Sequence, residues 1–443
     1  MKFSYYFFKT PNISTLVVSG LILSLFVYCL PQFRLFEIIA VETLIFGSLI
    51  ILASIHKIIL TNKISFQILL FFLLLLVVNF FSQIISPFPA TDQFFKITFL
   101  SICFLFIVDY FVKVNSKLEP TLKTHVFLAL LLTIYGSYIY FLGDIEGTET
   151  TSSIWKTVGR YWGFRYTPAT RNDDILYIIP ACLIALSYAL FNFSKSKRII
   201  YISLFIIFST VVVLSLSRGH ILALLGTTII VLFLKFRFPE YKTFNSFQKK
   251  GFNSVSKLVS TLIGFLGLVI LIIYFMGTFI PEFNVFLTLG LKLLSLFDPS
   301  AQLEYFNIEA SNTTRIKIFS IGLDLLSKYP LGVGAENFVN ASIAEGHGEY
   351  WGENTYLEYL INWGFLGLFV TYILFVYPLF KLYRLYKYNR RFLDLTYFAI
   401  SLYLAIASLF NVTLGNFYVY VLLALIHAYI INQESLKKRQ KLP

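Results

Sequence analysis

Apolar positions in this 443-residue chain gather into runs long enough to cross about 30 Å of hydrocarbon. They fall near 13–30, 38–55, 64–82, 93–112, 122–142, 173–193, 199–216, 220–236, 258–277, 356–380, 394–411 and 415–432. The pattern predicts an all-α polytopic membrane protein of about twelve transmembrane helices, one integral membrane domain over residues 1–443. Two interruptions exceed what a connection needs, 143–172 and 278–355, the second lying between the ninth and tenth spans. The longer one keeps a helical pattern and is expected to be folded. Within it Asn312 can cap a helix whose apolar positions Ile316, Phe319, Leu323 and Leu326 recur at about helical spacing and which ends at Pro330 and Gly332. The apolar stretch 286–297 is too short to span and is expected to lie along the interface. No repeat of 20–50 residues and no symmetry between halves is visible.

Composition narrows the class. The chain is 57% apolar and 13% charged, with 49 Phe and 29 Tyr, which excludes a water-soluble globular domain, a disordered chain and a collagen-like repeat. A formal charge of +13 could suggest nucleic acid. The basic residues instead sit in short runs between apolar segments, as at 194–198, 235–257, 381–391 and 437–439. With both termini cytoplasmic, most of the 36 Lys and Arg fall inside, as the positive-inside rule requires, so no nucleic-acid partner is needed. Lys2 and Lys9 before the first run have the outline of a signal sequence, but no small-residue cleavage site follows, so the first span is expected to be retained. Cys29, Cys103 and Cys182 all lie inside apolar runs and read as packing residues, with neither disulfide nor metal-ligand spacing.

Arginines left on the outer side stand against that rule: Arg160, Arg165, Arg171, Arg218 and Arg315. Arg218, in Ser217-Arg218-Gly219-His220, sits between two closely spaced runs where a new helix begins. A guanidinium fork, backbone N–H groups and the helix dipole there all favour a phosphate at headgroup depth, whether of a substrate or of an ordinary lipid. Arg165 has no carboxylate near it in sequence, whereas Arg171 can pair with Asp173 or Asp174. Tyr161, Trp162, Tyr350, Trp351 and Trp363 suit an interfacial aromatic belt, and Trp351 is placed to stack on a sugar. Glu42 and Asp109, inside apolar runs, carry no functional assignment.

Three further segments follow in order: Asn312-Thr313-Thr314-Arg315, then Tyr329-Pro330-Leu331-Gly332-Val333-Gly334-Ala335-Glu336-Asn337-Phe338, then Glu353-Asn354-Thr355-Tyr356-Leu357 before Gly364-Phe365-Leu366-Gly367. Together with the Arg218 turn, over about residues 160–375, they resemble the Wzy/O-antigen ligase family (Wzy_C) of membrane glycosyltransferases. The resemblance implies a GT-C-like helical membrane fold in the inner membrane of a bacterium. It further implies an undecaprenyl-diphosphate-linked glycan donor, a glycan acceptor, contact with the bilayer, and a chain-length regulator as a further partner. The expected transfer is inverting, and since arginines can offset the diphosphate charge, neither a cofactor nor a metal is expected. The outer loops hold no Asp-x-Asp motif, and Asp173-Asp174 alone does not make a metal site. On this resemblance Arg218 and Arg165 map to positions that hold diphosphate, Arg315 to a supporting cation and Glu353 to the hydroxyl-activating base. Arg171, His347, Trp351 and Asn354 are expected at the substrate. Ligases of the family show His before Asn where this chain has Glu353, and the nearest histidine is His347. A carboxylate near the membrane can still act as base, or Glu353 can cap the following helix, and His347 can be a loop residue without a role. The departure favours a repeat-unit polymerase over the ligase, with a flippase or other secondary transporter as the alternative of a different class.

Overall fold

The computed structural model describes residues 34–35, 39–40, 66–89, 92–142, 171–191, 194–214, 218–238, 308–335, 337–350, 354–410 and 417–439. The described chain is helical apart from a two-residue antiparallel pair, Arg34–Leu35 with Ile39–Ala40. In chain order the helices are α1 (Phe66–Ile85), α2 (Asp92–Lys113), α3 (Leu118–Leu142), α4 (Arg171–Phe191), α5 (Lys195–Leu214) and α6 (Arg218–Arg237). They continue as α7 (Ile308–Lys328), α8 (Phe338–Ala344), α9 (Thr355–Trp363), α10 (Phe365–Thr371), α11 (Tyr377–Asn389), α12 (Phe392–Ala407) and α13 (Phe417–Arg439). A five-residue π segment, Tyr372–Val376, joins α10 to α11 without a break.

Among the described residues four stretches are long and apolar enough to cross a bilayer: Phe94–Lys113, Gly219–Arg237, Phe365–Asn389 and Tyr418–Leu436. The chain is thus a helical membrane protein. The predicted runs 13–30, 258–277 and nearly all of 38–55 lie outside the described residues, as do 286–297 and almost all of 143–172. The central bundle buries Ile97, Phe104, Ile107 and Phe111 of α2, Ile179 and Leu183 of α4, Ile400 and Tyr403 of α12, and Ile426 of α13. Cys103 and Cys182 are buried in it as free thiols, as packing residues would be.

Successive helices sort their connections to two ends. At one end α1 turns into α2 through Ser86 to Pro89, α6 begins at Arg218, and the backbone N–H of Thr355 at the start of α9 donates to Ser408 O just past α12, at 3.0 Å. At the other, Phe191 closing α4 meets Phe392 opening α12 with ring centroids 5.9 Å apart. This second end holds Lys117, Lys197, Arg237, Lys387 and Arg391. This is the basic end, and the first is the turn end.

The expected span 356–380 is displaced. The chain breaks at Gly364, and the membrane-crossing stretch is Phe365–Asn389. The cause is a backbone lock. The last carbonyls of a helix have no partner inside it. Here Ile361 O and Asn362 O of α9 accept from Val333 N and Gly334 N, each at 3.0 Å, while Phe365 N donates to Pro330 O at 3.2 Å. Gly364 reverses direction at φ +58, ψ −149, and a Cβ there would lie 2.2 Å from Pro330 O. Gly332, at φ +99, meets it from the other side, and a Cβ on it would lie 2.5 Å from Asn362 O. The glycines of both motifs are the points where two backbones touch.

Helix α7 also differs from expectation. It starts at Ile308, so Asn312 is an interior residue and not the cap. Ile318, Ile321 and Leu325 are buried against Leu357 and Ile361 of α9, while Ile316, Phe319 and Leu323 are exposed. Both sets recur at helical spacing, so the pattern alone could not choose the face that packs.

The lock predicts unequal costs among glycines. Gly332→Ala and Gly364→Ala should each remove at least ~3 kcal/mol of stability, combining backbone strain with a clash against main chain. Gly346→Ala, with φ +78 but nothing within 4 Å of the added carbon, should lose only about 1 kcal/mol. Thermal unfolding of the three purified variants in one detergent checks the order.

Candidate functional site

The polar turn end is built on the lock. Helix α7, the 329–335 turn, α8 and α9 share a small core of Ile318, Ile321, Leu325, Val333, Phe338, Ala341, Leu357 and Ile361, with Phe88, Tyr329 and Tyr350 against it. The connection between α1 and α2 fastens this unit to the bundle. Ser86 Oγ donates to Val333 O, and buried Asn337 donates from Nδ2 to Pro89 O at 3.2 Å and to Val333 O at 3.1 Å.

Five charged or titratable side chains converge on the face of α7 nearest α8. Lys328 Nζ lies 2.9 Å from Asp324 Oδ2 and 2.7 Å from Glu345 Oε2. Tyr329 donates its hydroxyl to Glu345 Oε1 at 2.5 Å. His347 Nε2 is 2.8 Å from the same Asp324 Oδ2. The turn that presents His347 is itself fixed, because His347 N donates to Ser342 O at 2.9 Å and Ser342 Oγ donates to Gly348 O at 2.7 Å. His347 is therefore held on an ordered turn with a carboxylate behind its ring. If Asp324 accepts from Nε2–H, the neutral ring carries its lone pair on Nδ1, the arrangement by which a carboxylate orients a proton acceptor. Lys328 and then His347, through hydrogen bonds, hold the Asp324 carboxyl below its ordinary range. Lys328 and Tyr329 do the same for Glu345, and the two carboxylates push the Lys328 ammonium up.

Asn354, expected at the substrate, has a structural task. Its Oδ1 accepts from Tyr356 N at 2.9 Å and Leu357 N at 3.1 Å as the N-cap of α9, and its Nδ2 donates to Leu409 O at 2.9 Å. Asn354 does the capping that the sequence also allowed for Glu353. Arg218 and Arg171 are the first residues of α6 and α4, both at the turn end, where the helix dipole favours an anion. Behind Arg218, His220 is fully buried and its Nδ1 lies 3.0 Å from the Tyr403 hydroxyl. Arg315 is exposed on α7, on the side that carries Ile316 and Phe319 and turned away from Asp324. The structure thus joins His347 to the α7–α9 unit that Asn354 caps, and keeps Arg315 off the charged cluster. Glu353, Arg165 and Trp351 lie outside the described residues.

Sequence reasoning missed Asp324, Lys328, Tyr329 and Glu345. Asp324 and Lys328 do stand four apart with the acid first, the spacing of a helical ion pair. Their contacts with 345 and 347 cross a turn and a second helix and left no local signal.

A family model described as O-Antigen ligase (Wzy_C) matches residues 202–372. The matched segment begins within α5, takes in Arg218, Arg315, the 330–334 turn, His347 and Glu353, and ends just past α10. Arg165 and Arg171 fall before it, so the shared region is narrower than the 160–375 expected. No curated protein matches the chain at a significant level.

Two outcomes follow. Asn354→Ala should cost about 1 kcal/mol of α9 stability, read as faster hydrogen exchange at the start of α9. For the charged cluster, depressed carboxyls stabilise above their unfolded values and lose that contribution as pH falls through the folded ones, while raised Lys328 contributes below its unfolded value and loses it as pH rises. Exchange protection of 338–350, corrected for intrinsic rate, should hold between about pH 4 and pH 10 and fade outside that window. In Asp324→Asn the acid limb should shrink.

Proposed function

We propose, from the premise that residues 202–372 carry the O-antigen ligase family segment, that this membrane glycosyltransferase is a repeat-unit polymerase. It joins polyprenyl-diphosphate-linked oligosaccharides into O-antigen, capsule or exopolysaccharide at the outer face of a bacterial inner membrane. Under the positive-inside rule the basic end faces the cytoplasm and the turn end faces out. The observation that supports the reading is that the Arg218 helix start and the α7–α9 unit both lie at that turn end and within the matched residues.

The chemistry is one displacement. The anomeric C–O bond to phosphate breaks, and its electron pair leaves on the diphosphate. The acceptor hydroxyl oxygen bonds to the anomeric carbon from the opposite face, and its proton passes to a base. Arg218, on the positive end of the α6 dipole, offsets the charge gathering on the diphosphate, and Arg165 and Arg315 supply further positive charge. Glu353, directly before the α9 cap, takes the proton. With charge offset by guanidinium groups, the step proceeds without a metal.

The ligase, which transfers finished glycan to lipid A core, is the second reading. The description of the matching family favours it, and so does the His347–Asp324 pair, which offers a histidine base where Glu353 departs from the family pattern.

Purified protein given lipid-linked repeat units alone should form longer lipid-linked chains. No growth until a lipid A core acceptor is added would replace polymerase by ligase. Arg218→Ala and Glu353→Gln should each lower the rate by about 10²-fold or more without loss of expression or insertion. Arg218→Lys should recover only part, since a point charge does not reproduce a two-pronged contact. A silent His347→Ala beside an inactive Glu353→Gln assigns the base to the carboxylate, and the reverse assigns it to the imidazole. Wild-type rates in all of them, with lipid-linked sugar crossing vesicles in an Arg218-dependent way, would point to transport.

A further inference from the structure

At the basic end, far from the turn unit, α3, α4, α5 and the first residue of α12 enclose a lateral crevice of about 660 Å³. Its walls are apolar: Val126, Leu130 and Leu204 line it, and Phe127 and Ile200, 58% and 56% exposed, flank it. Aromatic rings close one side. Tyr188 stacks on Tyr201 at 4.7 Å between centroids and packs on Phe392 at 4.1 Å.

Charge gathers where the helices leave the apolar layer. Lys123 and Lys197 line the crevice, and Glu119 is the one carboxylate in its lining. Glu119 is already engaged, with Lys123 Nζ at 2.8 Å and the Tyr188 hydroxyl donating to it at 3.3 Å. Lys235 Nζ sits 3.3 Å over the ring of Phe191, another lining residue. The rim is therefore net positive, with aromatic faces at headgroup level above aliphatic walls. This division matches a molecule with an anionic head and a hydrocarbon tail: ammonium groups near the surface attract anionic headgroups, and acyl chain is a better occupant of the apolar depth than water.

We propose that this crevice is a binding site for an anionic glycerophospholipid, its acyl chain along Val126, Leu130 and Leu204 and its phosphate at the Lys123 and Lys197 rim. The bound lipid bridges α3 to α5 at the cytoplasmic side and is separate from the glycan-transfer site proposed above.

Native mass spectrometry of the full chain in detergent tests it, with phosphatidylglycerol and phosphatidylcholine of matched acyl chains added together. The wild type should retain phosphatidylglycerol in preference. Lys123→Gln and Lys197→Gln should each cut that preference about fivefold, and the pair about twenty-fivefold. Ile200→Trp, which narrows the crevice and leaves every lysine in place, should reduce tightly held lipid by one molecule. Inorganic phosphate in excess should not displace the lipid. Equal retention of both lipids, an unchanged preference in the double variant, unchanged lipid number in Ile200→Trp, or displacement by inorganic phosphate would each overturn the proposal.

Discussion

The end of a nine-residue helix leaves carbonyls without partners, and at α9 they are met by the N–H groups of the 330–334 turn. Each bond contributes about 1 kcal/mol net, yet leaving such groups buried and unmade costs more, so the contact dictates position as well as stability. It requires two backbones to approach with no side chain between them, which Gly332 and Gly364 permit. From it follow the direction reversal before Phe365, the start of the long membrane stretch, and the packing of α7 on α9.

Because the lock holds α9 against the turn, the surrounding polar groups have fixed addresses. Asn354 caps α9 and ties it to the end of α12 through Leu409 O and Ser408 O. Asn337 and Ser86 tie the same unit to the α1–α2 connection. The ion cluster around Lys328 then sets the turn that carries His347. A histidine with a carboxylate on one nitrogen presents the other in a defined direction, which a flexible loop would not do.

The two ends of the bundle divide the electrostatics. The helix N-termini that begin at Arg171 and Arg218 stand at the turn end, where the helix dipole favours an anion. Lysines and arginines crowd the opposite end among aromatic rings, the composition of a headgroup region.

Much of this was legible in the sequence. The apolar runs reported a helical membrane protein because a segment in hydrocarbon must satisfy its own backbone, a requirement that acts locally. The motif order around Arg218, Gly332 and Gly364 reported the family resemblance for a similar reason, since each motif is a short stretch with its own backbone demand. Contacts between distant stretches were decided only by tertiary structure. The meeting of Gly332 with Gly364, the pairing of Asp324 with His347, the packing of α7 through Ile318 and not Ile316, and the break that moved a span from 356 to 365 all depend on which surfaces come together. Periodicity marks a helix as having an apolar side, but the choice between two such sides, and the partner of any polar group beyond its own turn, is made by close packing.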